Sequence, residues 1–258
     1  MTKGFIPGVM SPTGGPSGSL DQATFFEDWF TAGYIPDLAL LNESDPSAKI
    51  SVVADEGEWL ATVTETTNGD ATLVIADSGP FGVLSITNDG TDNDVVELQL
   101  NGEAFQPLSS RTIVFESRLA VGDVDASDWF VGLAATDTSV MANVADFIGF
   151  GNTANAADVY AVNGKNASGE PADAGAGTTR TDTTVDLADG TASTEMAVLR
   201  FELEGTSTIR FYVDGTLYAT HTTNIPDDVY LTPTICIRNA AAASKALHVD
   251  YILATTTR

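Results

Sequence analysis

The clearest alternation of apolar and polar positions lies between residues 196 and 220. From residue 199 to 204, apolar side chains take every second position and charged ones stand between them, which predicts a strand with one apolar and one wet face. Residues 208–213 repeat this pattern, and Asp214-Gly215 then predicts a hairpin turn. The apolar members of the first run are Leu199, Phe201 and Leu203. This segment is predicted to be the core hairpin of an all-β protein.

The register of the hairpin depends on the length of its loop. A two-residue loop would leave Leu217 on the polar face, whereas a three-residue loop starting at Val213 places Leu217 opposite Phe211 on the apolar face. A shift of one residue reverses the face of every side chain, so burial favours the longer loop with Gly215 in the left-handed conformation. We therefore expect Leu217 to point inward.

The rest of the chain beyond residue 48 consists of short apolar or alternating runs separated by Gly, Asp and Asn turns. Further strands are predicted at residues 49–53, 59–66, 71–76, 81–87, 95–100, 112–121, 128–135, 146–151, 159–162, 230–238 and 246–254. Residues 164–190 are predicted to be a surface loop with room for one strand. About a dozen strands without a long helix are typical of a two-sheet antiparallel sandwich.

Two N-terminal segments differ from this body. Residues 1–20 are rich in Gly, Pro and Ser, so they cannot bury enough apolar surface to fold alone. In residues 21–48 the aromatic side chains recur at helical spacing, which favours a short helix. We expect an extended arm (1–20), an aromatic connecting segment (21–48) and one sandwich domain (49–258). The apolar residues of the two segments are Phe5, Ile6, Val9, Met10, Phe25, Phe26, Trp29 and Phe30.

Charge excludes several classes of partner. The 258 residues include 36 acidic and 11 basic side chains, for a net charge of −25. So negative a surface repels nucleic acids and anionic lipid, and we expect neither as a partner. No stretch approaches the roughly 18 consecutive apolar residues of a membrane span, and the N-terminus lacks the apolar core of a secretory signal. Synthesis in the host cytoplasm is therefore expected.

Metal and thiol chemistry find little support. The single cysteine, Cys236, excludes an intramolecular disulfide framework, and its apolar neighbours favour a buried packing role. His221 and His248 lie far apart in sequence. Two acidic turns could offer oxygens to calcium, but neither completes an EF-hand pattern, so solvated turns are the preferred interpretation and calcium the alternative. These turns contain Asp89, Asp92, Asp94, Asp123, Asp125 and Asp128.

No catalytic constellation emerges from the sequence. Glycoside hydrolysis needs two carboxylates across a cleft, whereas Glu202 and Glu204 lie on one strand face beside Arg200, and Glu116 shares a face with Arg118 in the same way. These acids are interpreted as solvated or interfacial rows. Neither a G-x-S-x-G elbow nor a phosphate-binding glycine loop occurs. Tyr160, Tyr212 and Tyr218 are interpreted as packing or interface residues rather than sugar platforms.

Several segments resemble known families. VLRFELEG (198–205), IRFYVDGTLYAT (209–220), NIPDDVYLTPTICIRN (224–239) and VDYILA (249–254) resemble the concanavalin A-like (laminin G-like) jelly-roll superfamily. Residues 92–137 resemble structural proteins of tailed bacteriophages. The resemblance implies a jelly-roll sandwich. It carries over no functional residue, because the E-x-D-x-x-E signature of family-16 glycosidases and lectin metal-site motifs are absent.

The leading functional hypothesis is a non-enzymatic capsid decoration protein. It would sit on the outside of the virion as a homo-oligomer, bound to the major capsid protein through the arm and aromatic segment, and it would need no cofactor. The alternative is a carbohydrate- or receptor-binding module of a virion fibre or tail. A third hypothesis is a glycan-cleaving enzyme with an unrecognised site.

Overall fold

The computed structural model describes residues 22–27, 50–53, 59–64, 71–76, 82–153 and 157–257. These residues form two antiparallel sheets of eight strands each. Sheet A consists of β1 (Gln22–Glu27), β4 (Thr72–Ala76), β5 (Val83–Thr87), β7 (Thr112–Val121), β12 (Ala197–Glu204), β13 (Thr208–Val213), β14 (Thr216–His221) and β16 (Ala246–Thr257). Sheet B consists of β2 (Ile50–Val53), β3 (Trp59–Thr64), β6 (Val95–Leu100), β8 (Ser127–Ala134), β9 (Phe147–Asn152), β10 (Asp158–Gly164), β11 (Thr178–Asp186) and β15 (Thr232–Asn239). The predicted two-sheet sandwich is confirmed.

The two C-terminal strands lie inside the sheets rather than at their edges. Sheet A has the order β14-β13-β12-β7-β16-β5-β4, with β1 paired to the far half of β16. Sheet B has the order β11-β10-β9-β8-β15-β6-β3-β2. Because β15 and β16 each join strands that lie far earlier in sequence, neither sheet can close before the end of the chain is in place, and folding is expected to be slow.

The main core lies between the inner faces of the two sheets. Leu199 and Phe201 of β12 are fully buried, as predicted. Phe201 stacks on Phe115 of β7 with 5.3 Å between ring centroids. Phe211 of sheet A meets Phe150 of sheet B edge to face at 5.4 Å, so this aromatic pair fixes the two sheets against each other.

The turn between β13 and β14 has two residues, so the predicted three-residue loop is wrong. Val213 pairs directly with Thr216. Asp214 and Gly215 between them have φ of 47° and 77°. Positive φ at both central positions is the geometry of a type I′ turn, whose twist matches that of the flanking strands.

The extra residue lies inside β14 instead of in the turn. Pairing shifts between Tyr212–Leu217 and Phe211–Ala219, so Tyr218 is left in a bulge. Ala219 is buried opposite Phe211, whereas Leu217 is 49% exposed. The prediction that Leu217 points inward is therefore wrong, because the bulge brings Ala219 rather than Leu217 opposite Phe211.

Residues 22–27 form strand β1, so the helix predicted around them is wrong at these positions. Phe25 is buried, and its ring lies edge to face with Trp59 of β3 at 5.9 Å. Phe26 is half-buried on the outer face of sheet A, 6.2 Å from the Tyr251 ring. Adjacent residues of a strand point to opposite faces, and β16 supplies the hydrogen-bonding partner that a sequence pattern does not reveal.

A second apolar cluster covers part of the outer face of sheet B. Its cover comes from the short helix α1 (Val140–Asn143) and from residues 165–172, neither of which the sequence predicted as a packing element. Gly149 leaves room for the Phe130 ring in this cluster, because a Cβ at residue 149 would lie only 2.8 Å from that ring. The cluster contains Phe130, Ala134, Val140, Met141, Val144, Phe147, Val162, Ala167, Ala172 and Cys236.

Candidate functional site

Beside this cluster, over β3, β6 and β15, the outer side of sheet B has a floor that is buried at its centre and a cavity at each end. Cross-strand pairing places its outward side chains in three rows. They are Leu60, Gln99 and Thr234 in the first row, Thr62, Glu97 and Cys236 in the second, and Thr64, Val95 and Arg238 in the third. Residues 136–142, including α1, line one side. Four residues of extended chain separate the outer rows, so the floor is about 13 Å long. We call this surface the sheet B groove.

The first end of the sheet B groove opens into a cavity of about 440 Å³. Tyr230 lies there with 48% of its surface exposed. Glu103 and Asn101 are exposed beside it, and one Glu103 carboxylate oxygen accepts the Thr136 N–H at 3.0 Å. This end therefore combines an accessible aromatic ring with an amide and a carboxylate.

Gln99 fixes the floor at the same end. It is buried, and its amide nitrogen donates to the Ala135 carbonyl and to Thr234 Oγ1, both at 3.1 Å. Its amide oxygen accepts the Asp137 N–H at 2.9 Å. The bonds with Ala135 and Asp137 tie the segment that lines the groove to β6, and the bond to Thr234 ties β6 to β15.

The other end is a smaller cavity of about 210 Å³, which Glu97 and Arg238 line together with α1. Glu97 is buried, and its Oε1 accepts the N–H of Met141 at 2.8 Å. The carboxylate thereby holds the first turn of α1 over the sheet. Nearby Cys236 is fully buried, and burial with the Glu97 charge raises the pKa of its thiol, in line with the predicted packing role.

Arg238 is held by two carboxylates. Its guanidinium donates to Asp128 Oδ2 from Nε at 2.9 Å and to both oxygens of Glu170 at 2.5 and 2.6 Å. Burial opposes the charged form, but the hydrogen bonds that Arg238 donates to Glu170 and Asp128 outweigh it and raise the pKa of Arg238. The resulting ion-pair group fastens the covering residues around Glu170 to β8 and β15.

The carboxylates singled out in the sequence lie on the opposite side of the sandwich, on the outer face of sheet A. Glu116 accepts the Tyr251 hydroxyl at 2.7 Å and an Arg200 N–H at 3.3 Å. Arg200 also donates to Glu202 at 2.6 Å. Glu204 pairs separately with Arg210, at 2.5 Å. The sequence interpretation was a solvated or interfacial row; the structure adds that these acids are ion-paired, and none of them lines the sheet B groove.

The predicted partner-binding residues are only partly described. Phe5, Ile6, Val9, Met10, Trp29 and Phe30 lie outside the described residues. Phe25 packs in the sandwich's own core, and Phe26 lies against Tyr251. A partner contact through these residues stays a prediction.

The acidic turns are not gathered into a metal site. Asp123 pairs with Lys245, and Asp128 with Arg238. Across the described ranges no group of three His, Cys, Asp or Glu side chains could hold a metal ion. Within the same ranges, no helix has the length and apolar character needed to cross a membrane.

Sequence reasoning missed the residues that form the sheet B groove. The alternation of Val96 and Leu98 with Glu97 and Gln99 in β6 was available as a pattern, since two polar groups share the face opposite two buried apolar ones. No pattern, however, indicated that Tyr230 would lie near the same face. Its proximity results from β15 pairing with β6.

Comparison with known proteins identifies the fold. No protein-family model and no curated protein matches the chain. A protein of unknown function from Shewanella oneidensis MR-1 is similar in structure, with 14% identity, a TM-score of 0.56 and coverage of 98% of this chain and 97% of that one. A β-1,3-1,4-glucanase (lichenase) from a mouse hindgut metagenome has 13% identity, a TM-score of 0.51 and coverage of 89% and 97%. A β-glucanase from Bacillus licheniformis has 14% identity, a TM-score of 0.49 and coverage of 94% and 98%. The chain has the concanavalin A-like jelly-roll fold.

This comparison corrects the prediction that the protein is not an enzyme. The lichenase and this chain share the same fold, so the missing glycosidase signature is no ground for excluding a glycan-cleaving activity. At such low identity the likeness establishes the architecture alone, and the chemistry has to be argued from the groove.

Proposed function

We propose that the sheet B groove binds an extended, uncharged glycan. The observation that carries the proposal is the half-exposed Tyr230 ring beside the exposed Asn101 and Glu103, at the end of a groove with a fixed floor. A tyrosine ring offers an apolar face for the C–H side of a sugar and a hydroxyl for its edge. A few placed polar groups in a concave site then set orientation and specificity.

The side chains of Glu103 and Asn101 can form further hydrogen bonds with a ligand. A carboxylate has about four lone-pair positions, and the hydrogen bond from Thr136 uses one of those on Glu103. Sugar hydroxyls donate well to such oxygens. The amide of Asn101 both donates and accepts, so it suits a hydroxyl in either role.

Electrostatics favours an uncharged glycan. The chain carries a net charge of −25, and the groove adds Glu97 and Glu103 to its lining. The guanidinium in the lining belongs to Arg238, which two carboxylates already hold. Uronate-rich polysaccharides would therefore meet repulsion.

Calorimetric titration with soluble oligosaccharides tests the proposal. Mixed-linkage β-glucan fragments are the first probe, since the lichenase with this fold acts on such a glucan, and alginate fragments are the anionic comparison. Tyr230→Ala is expected to weaken binding of the neutral probe about tenfold or more, equivalent to roughly 1.4 kcal/mol. The matched control is Tyr218→Ala, because Tyr218 is 41% exposed but lies on sheet A. Equal losses in both variants, or no binding of neutral oligosaccharides, would refute the assignment. Reducing ends released in the same samples report any hydrolysis.

A second candidate function is the virion location inferred from the sequence. Strand β1 is tied into sheet A through β16, so an arm preceding Gln22 would be anchored directly to the sandwich. We propose that such an arm attaches the protein to a capsid lattice. Electron microscopy of native particles, with intact protein and with residues 1–20 deleted, tests this. Full occupancy by the truncated protein would rule out attachment through the arm.

A further inference from the structure

The outer face of sheet A differs from the groove in shape and composition. It is a continuous strand surface on the side of the sandwich opposite the sheet B groove. Apolar and aromatic side chains are interspersed with ion pairs on it. We call it the sheet A face and define it by the outward residues Phe26, Val114, Glu116, Arg118, Val198, Arg200, Glu202, Glu204, Arg210, Tyr212, Leu217, Asp250, Tyr251 and Leu253.

Large apolar groups on this sheet remain in contact with solvent. Leu217 is 49% exposed, and Tyr218 beside it is 41% exposed. At the opposite edge of the same sheet, Val74 of β4 is 53% exposed. The fourth exposed large hydrophobic residue in the described part of the chain is Tyr230, which belongs to the groove. Aromatic residues, aliphatic residues and arginines together are the composition of a protein interface core.

Charge on the sheet A face is nearly balanced. Its three arginines stand among four carboxylates and are ion-paired to them, so the set has a formal charge of −1, although the whole chain has −25. Two copies of so acidic a chain repel each other in most orientations. Contact through this near-neutral face avoids most of that repulsion and allows arginines of one copy to approach carboxylates of the other.

The face is also large enough for a specific contact. Six strands spaced about 4.8 Å apart and roughly 20 Å long cover about 600 Å² per copy. Two copies would bury roughly 1,200 Å², the lower end of the range for stable interfaces.

We propose that the sheet A face is a homodimer interface in which two copies pack with their sheet A faces together. The arrangement leaves both sheet B grooves on the outside, facing opposite directions. A dimer built this way presents one binding surface on each side, so it can link two separate ligand chains. The proposal does not depend on the ligand of the groove.

Sedimentation equilibrium of the full chain over a wide concentration range tests the interface. A monomer–dimer equilibrium is expected, and Leu217→Glu should raise its dissociation constant about tenfold or more by placing a charge in the contact. Leu217 lies near a turn and is already exposed, so the substitution leaves the core intact. Val198→Glu, on β12 of the same face, is a second, independent disruption. Tyr230→Ala on the other side of the sandwich is the matched control and should leave the equilibrium unchanged.

Each result decides the proposal, provided that every variant retains the wild-type circular dichroism spectrum. Weakened dimerisation in both glutamate variants but not in Tyr230→Ala supports it. A wild-type chain that stays monomeric at all concentrations overturns it. A dimer unaffected by the two glutamate substitutions also overturns it, because the contact would then lie elsewhere.

Discussion

His221 provides a quantitative test of how the two sheets are joined at one edge. It lies at the end of β14, is 4% exposed, and its ring centroid is 4.8 Å from that of Phe211. Its Nδ1 is 2.6 Å from Asn163 Oδ1 of sheet B, and its Nε2 is 2.8 Å from Thr181 Oγ1. Because an amide oxygen can only accept, Nδ1 carries a hydrogen, and the threonine hydroxyl can donate to Nε2 of a neutral ring. Burial disfavours the charged imidazole, so the ring is neutral in the folded protein near pH 7.

Burial of the imidazole lowers the pKa of His221 from 6.5 to about 4. The unfolded chain takes up the proton first as pH falls, so the stability held by neutral His221 is complete above pH 6.5 and is lost between that value and about pH 4. Linkage then gives a loss of about 2 kcal/mol by about pH 5 and about 3 kcal/mol by about pH 4.

Urea unfolding of the wild type and His221→Gln at both ends of this window measures the effect. Glutamine keeps a polar group of similar reach but does not titrate, so the wild type should lose about 2–3 kcal/mol more than the variant on acidification. Titration of the acidic side chains and of half-buried His248 is common to both proteins and cancels in the difference. Parallel pH profiles for the two proteins would refute the assignment of a buried neutral imidazole.

Three further predictions concern packing and charge. Gly149→Ala should lower the free energy of unfolding by about 1–3 kcal/mol, because the new Cβ would lie 2.5 Å from the Val131 carbonyl oxygen. Gly90→Ala should change it little, because the nearest atom to a Cβ there is 3.8 Å away. Arg238→Ala should lower the free energy of unfolding by about 3–5 kcal/mol, because it removes the ion-pair partner of buried Asp128. Arg118→Ala should lower it by about 1 kcal/mol or less, because the Arg118 side chain is 45% exposed. Leu199→Ala should cost about 2–5 kcal/mol and Leu217→Ala much less, measured where the chain is monomeric. Urea unfolding tests all three predictions. Equal changes in unfolding free energy for the two variants of a pair would contradict the role assigned to the buried residue of that pair.

Local patterns determined the architecture of this protein to a large extent. The alternation at Leu199 and Phe201 predicted both strand and buried face, because side chains in a strand alternate with period two wherever one face is packed. Runs of this kind along the chain were sufficient to predict an antiparallel sandwich. The placement of Glu116 and Glu202 on a polar strand face was likewise predicted, whereas their shared ion pairing with Arg200 came from the structure.

Features that depend on a distant partner were decided by the tertiary structure. Phe25 and Phe26 have a spacing compatible with a helix, and pairing with β16 makes them a strand. Leu217 is exposed because a bulge inside β14, rather than a longer turn, restores the register of Ala219. The sheet B groove joins Glu97, on β6, to the loop that carries Tyr230 only because the C-terminal strand β15 inserts beside β6. Period and turn chemistry are local, whereas strand order depends on contacts between residues far apart in the chain, which no short sequence window contains.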